Sequence, residues 1–124
     1  MTRTRQSAVL WTALTLLCAP MAAQAADAER GAALYEQRCA ACHSLDANRI
    51  GPAHRGVVGR KAGGVAGFAY SPAVKASDLV WTEDSLDRWL TDPQAVIPGQ
   101  RMNYRVADAA ARADIIAFLK RQSP

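Results

Sequence analysis

Cysteine and histidine are scarce in this chain: its 124 residues include three of the first and two of the second. A closed zinc centre needs four such ligands at short spacing. Beyond His43 only His54 remains, with no cysteine, so a zinc half-site would find no second half. Membrane-length apolar sequence is lacking too. The run from Ala8 to Ala19 falls short of the ~20 residues that span a bilayer. No alternation of aromatic with basic residues marks a nucleic-acid surface. Internal repeats and low-complexity segments are absent as well.

What is present begins with an export signal. Arg3 and Arg5 precede the apolar run, Pro20 follows it, and Ala23-Gln24-Ala25 supplies a small–any–small cleavage site. Residues 1–25 therefore read as a cleaved signal peptide, and 26–124 as a single domain. A retained anchor is the competing reading, weakened by the shortness of the run. Arg3-Thr4-Arg5 is not a twin-arginine pair, so export of the unfolded chain is expected. Cys18 lacks the small residue expected just before a lipid-bearing cysteine. Cleavage would remove Cys18 and two of the 15 basic residues, leaving 13 against 11 acids. Whole-chain basicity is thus no argument for a nucleic-acid partner.

The two cysteines that stay are Cys39 and Cys42, in Cys39-Ala40-Ala41-Cys42-His43. Thiols at i and i+3 lie on one side of a helical turn. Both can reach the two vinyl groups of one porphyrin, and the following imidazole can reach its iron. This is the attachment pattern of one covalent haem c, with Cys39 and Cys42 as thioether anchors and His43 as proximal ligand. A thioredoxin-like dithiol is the alternative, but no βαβ pattern surrounds it and His43 would have no role.

Periodicity predicts an all-α fold: three main helices, short helices and Ω-type loops packed around the haem. The first helix is expected from Asp27 to about Ser44, with Gly31, Tyr35, Cys39 and Cys42 on one face. From Asp46 to Gly67 the pattern gives way to glycines interspersed with Ile50, Val57, Val58 and Val65, too apolar for a linker. A short helix is expected over Ser71–Ser77. Thr82 caps the next helix, which carries Leu86, Trp89 and Leu90 on its buried stripe and stops at Asp92-Pro93. The last runs from Asp108 to Arg121, with an Asp108–Arg112 pair and an apolar face of Ala111, Ile115, Phe118 and Leu119. That face should cross the first helix at Gly31, with Phe118 against the glycine.

Once the signal is removed, Met102 is the only methionine. It follows Pro98-Gly99 in an irregular segment that can aim a side chain. Its thioether is the candidate sixth ligand, with plain core filling as the alternative. His54 is the rival ligand, only eleven residues beyond His43.

Taken together, the mature chain resembles the class I cytochromes c of the bacterial and mitochondrial type. The resemblance rests on Cys39-Ala40-Ala41-Cys42-His43, Gly51-Pro52, Gly56-Val57-Val58-Gly59-Arg60-Lys61-Ala62-Gly63, Phe68-Ala69-Tyr70-Ser71, Trp81, Pro98-Gly99-Gln100-Arg101-Met102 and the Arg112…Ala117-Phe118-Leu119 helix. It implies His43 and Met102 as axial ligands and the Pro52 carbonyl as acceptor from His43. It also implies that Arg60, Tyr70 and Trp81 hold the inner propionate, with Gln100 nearby. Two departures stand out. His54 occupies a place where the family usually has leucine, and could titrate near neutrality. Asn103-Tyr104-Arg105-Val106 lacks the glycine that often follows the ligand methionine.

These readings lead to a periplasmic one-electron carrier, not an enzyme, that works with redox partner proteins. No nucleic acid, no lasting membrane insertion and a monomer are expected. Arg38, Arg101 and Arg105 are what remains of the family's basic docking ring. Two alternatives stay open: a ligand-binding or peroxidatic haem protein with a displaceable Met102, and a dedicated subunit of a dehydrogenase.

Overall fold

A computed structural model of the chain describes residues 19, 20 and 22–124. Most of the expected signal peptide, residues 1–25, lies outside them. Five helices follow in order: α1 (Ala28–Arg38), α2 (Pro72–Ala76), α3 (Glu83–Thr91), α4 (Pro93–Val96) and α5 (Ala109–Arg121). Among the described residues there is no strand, only an isolated antiparallel bridge between Lys61 and Val80. The fold is all-α, with α1, α3 and α5 as its main helices.

Each main helix starts where capping chemistry allows. The Asp27 carboxylate accepts from the Glu29 and Arg30 N–H groups at 2.8 and 3.1 Å, satisfying donors that the first turn leaves over. Thr82 and Ser85 form a reciprocal capping box at α3, each backbone N–H donating to the other's hydroxyl at 2.8 and 3.0 Å. At α5 the Asp108 carboxylate accepts from the Ala110 N–H. It is therefore engaged in capping, and the expected Asp108–Arg112 pair does not form. Arg112 donates through Nε to Asp87 at 2.7 Å instead, tying α5 to α3.

The first helix is shorter than the periodicity predicts. It ends at Arg38, because the Tyr35 carbonyl accepts from both Cys39 and Ala40 N–H, at 2.8 and 3.1 Å. The ladder slips by one residue there, and Cys39–His43 forms its own turn, closed by His43 N–H donating to the Cys39 carbonyl at 2.9 Å. One turn is all that the cysteine spacing requires.

α1 packs chiefly on α5, and Gly31 is why they can approach. A Cβ at position 31 would collide with the Asp114 carbonyl and come within 2.9 Å of Phe118 Cβ. The crossing and its Phe118 contact are those the sequence predicts. Asp114 reinforces it from α5, accepting from the Asp27 N–H at 2.7 Å and from Arg30 Nε at 2.9 Å. Leu86, Trp89, Leu90, Ile115, Phe118 and Leu119 complete the buried core.

The glycine-rich stretch is docked on the helices. Gly59 N–H donates to the Trp81 carbonyl, Trp81 N–H to that of Arg60, and Ala62 N–H to that of Leu79, at 2.7, 2.9 and 2.8 Å. Val57 and Ala62 are buried among the core residues. Among the described residues no helix is long and apolar enough to cross a membrane.

Candidate functional site

The turn after α1 presents Cys39, half-buried, and Cys42, exposed, both as free thiols. Burial pushes the Cys39 thiol up to about 11. A dithiol redox pair needs a depressed thiol pKa to attack, so the shift runs against that alternative. His43 is buried directly behind them. Its Nδ1 lies 2.8 Å from the Pro52 carbonyl. A carbonyl only accepts, so Nδ1 carries the proton and Nε2 keeps the lone pair that a metal needs. Burial holds the imidazole below its ordinary pKa, which also favours the neutral ligand form. Gly51 leaves room for it: a Cβ there would run into His43 Cε1.

His54 is not across from His43 but beside it. The two rings stack with centroids 3.9 Å apart and planes 19° from parallel. Two imidazoles on opposite sides of one iron are separated by two metal–nitrogen bonds of about 2 Å each plus the ring radii. His54 therefore cannot be the opposite ligand in this arrangement. Nor is it a group that titrates near neutrality. Burial, with His43 and Arg60 nearby, pushes it down to about 3. Its Nδ1 is 3.1 Å from the Tyr35 hydroxyl, whose own pKa burial raises to about 12.

Met102 is half-buried against the core, on the irregular segment that follows α4. Gly99 makes the turn that brings it there, with a φ of +90° that side-chain-bearing residues rarely adopt. Met102 shares a recess of about 160 Å³ with Gln94, Gln100 and Tyr104. Of the arginines expected near a docking edge, Arg105 pairs with Asp92 at 2.8 Å.

The side chains named for a propionate share a need for partners. Arg60, half-buried, donates to the carbonyls of Ala53 and Arg55 at 2.9 and 3.2 Å rather than to a carboxylate. The Tyr70 oxygen accepts from Val65 N–H at 3.0 Å, leaving its proton to donate. Gln100 Oε1 is buried with no partner among the described residues. An amide whose oxygen and nitrogen exchange places would turn that orphan into a donor. Trp81 is buried edge-on to Trp89, centroids 5.0 Å apart, and bonded through its backbone to Arg60. An Arg60 cation resting only on neutral carbonyls, beside a Tyr70 phenol with a proton to give, suits an anionic group.

Among the described residues no cluster of three Cys, His, Asp or Glu could hold a metal by itself. An iron that arrives with four porphyrin nitrogens needs only the axial positions filled, and one prepared imidazole suits that requirement.

The family model described as "Cytochrome c" matches residues 28–123. The chain belongs to the cytochrome c family. It is 42% identical over 99 residues to cytochrome c 2.1 of Caenorhabditis briggsae, covering 77% of this chain and 88% of that one. Cytochrome c of Euglena viridis is 44% identical over 97 residues, with coverage of 76% and 95%. The solved structure of cytochrome cH from Methylobacterium extorquens superposes with a TM-score of 0.73 at 42% identity, covering 77% of this chain and 98% of that one. Like the rest of the family, this cytochrome c binds one covalently attached haem c and carries electrons between redox partners.

Cys39, Cys42 and His43 share one turn as the motif predicts, His43 meets the Pro52 carbonyl that the resemblance implies, and Arg60 and Trp81 are brought side by side. What the sequence did not reveal is the Tyr35–His54–His43 series. Tyr35 was recognisable on the cysteine face of α1, yet nothing in the spacing pairs its hydroxyl with a ring nineteen residues on.

Proposed function

We propose that this cytochrome c is an exported, periplasmic one-electron carrier whose iron is held by His43 on one side and Met102 on the other. The observation that carries the reading is the His43 Nδ1–Pro52 carbonyl bond, which commits the ring to offering Nε2. Cys39 and Cys42 anchor the haem. Arg60, Tyr70 and Trp81 take up the inner propionate, with Gln100 nearby. Residues 1–25 are the signal that directs export, and 26–124 act as one monomeric domain. A sulfur ligand favours Fe(II) and raises the potential relative to two imidazoles. With both positions filled there is nowhere for a substrate to bind, which suits transfer over catalysis.

The test is the optical spectrum of both redox states of wild type and Met102→Ala. A weak far-red band in the ferric wild type that vanishes in the variant supports the ligand pair; its absence from the wild type refutes it. A displaceable Met102 is the second reading, favoured by the irregular, largely exposed segment around it. Rapid stoichiometric carbon monoxide binding by the ferrous wild type at neutral pH would select that reading.

A further inference from the structure

We propose that His54 and Tyr35 are a positioning pair that fixes the plane of the His43 imidazole. The inference rests on the reading of His43 as an iron ligand. A ring tethered only by Nδ1 to the Pro52 carbonyl has its N–H direction set, yet it can still rock about that bond. A flat partner against its face removes the rocking. His54 is that partner, nearly parallel at 3.9 Å.

His54 is itself held. Its Nδ1 meets the Tyr35 hydroxyl at 3.1 Å, and the two rings sit edge to face, 5.7 Å between centroids. Tyr35 is 2% exposed. It packs on Phe118, centroids 5.2 Å apart, at the α1–α5 crossing. The series Phe118, Tyr35, His54, His43 thus runs from the α1–α5 crossing to the ligand. An apolar side chain at 54 could fill the same space, but it could neither stack as a ring nor receive the tyrosine.

Orientation of the imidazole plane decides which iron orbital its π electrons meet. It therefore shows in the paramagnetically shifted proton signals of the ferric protein. A polar ring stacked on the ligand imidazole also favours the more highly charged ferric state, so its removal should raise the potential.

The test uses the ferric holoprotein of wild type, Tyr35→Phe, His54→Leu and the double variant. Both single variants should alter the spread of the shifted haem-methyl and His43 signals. The double variant should change them no more than His54→Leu alone, since the residues act as one unit. His54→Leu should also raise the ferrous-to-ferric ratio at fixed poise about threefold, a shift of about 28 mV at 59 mV per tenfold. Tyr35→Phe, which loses one oxygen and keeps the ring, guards against simple misfolding. Melting temperatures that fall while the signals and the potential stay put would overturn the pair and leave a packing role. Loss of the pair's effects beside an intact far-red band condemns this inference alone. A wild type with no iron-bound imidazole signal condemns the ligand reading, and the inference with it.

Discussion

Around Gly31, α1 and α5 meet with their polar groups satisfied by the chain itself: Asp114 receives the Asp27 N–H and Arg30, and Gly31 admits the opposing backbone. The loop side around His43 is different. There a tyrosine has a proton to give and an arginine rests on carbonyls, and further along the chain Gln100 Oε1 has no partner among the described residues. The first region is closed by polypeptide alone. The second is shaped for a large group with an anionic edge. The contrast separates what stabilises the fold from what the fold is for, and it can be broken from either side.

The heaviest blow should be removal of the haem anchors. An 11-residue and a 13-residue helix do not stand alone in water, and a chain this small leans on its cofactor for apolar surface. Cys39→Ala/Cys42→Ala is expected to lack covalent haem and to give the far-UV circular dichroism of a largely unfolded chain. A native spectrum would mean that the helical side needs nothing from the loop side.

Next in size is Gly31→Val in the holoprotein. Its Cβ meets backbone, which cannot swing away, so the helices must part at a cost of about 3 kcal/mol or more. Urea denaturation would show it as a lower midpoint, with the haem spectrum unchanged before the transition.

Smaller again is Asp114→Asn. The Arg30 guanidinium and the Asp27 N–H hold the Asp114 carboxyl below the usual carboxylate range. Its folded value is below its unfolded one, so the stabilisation is complete above an unfolded pKa of about 3.9 and fades as pH falls through the folded value. Partial exposure of Arg30 screens the pair, and the loss at pH 7 should be about 2 kcal/mol. Denaturation midpoints at pH 7 and pH 3 should differ less in the variant than in wild type. An equal fall in both would take Asp114 out of the acid response.

Much of this molecule was legible in advance. Gly31 opposite Phe118 and the Thr82 cap follow from local rules, because they depend on residue spacing within one helix or on one small side chain. Three readings failed, the extent of α1 among them. Asp108 and Arg112 have the right spacing to pair, but Arg112 lies against Asp87 of α3 and donates there instead. His54, the rival ligand to Met102, was expected to titrate near neutrality, and burial against Tyr35 and His43 holds it far below that range.

The sequence alone determined the cofactor and where the three main helices begin, since thioether spacing, caps and apolar stripes are short-range and carried by the chain's own order. Which carboxylate Arg112 found, where α1 stopped, and which ring came to rest on His43 were decided only on folding. Those choices depend on distances between segments many residues apart, and on burial, which no linear pattern encodes.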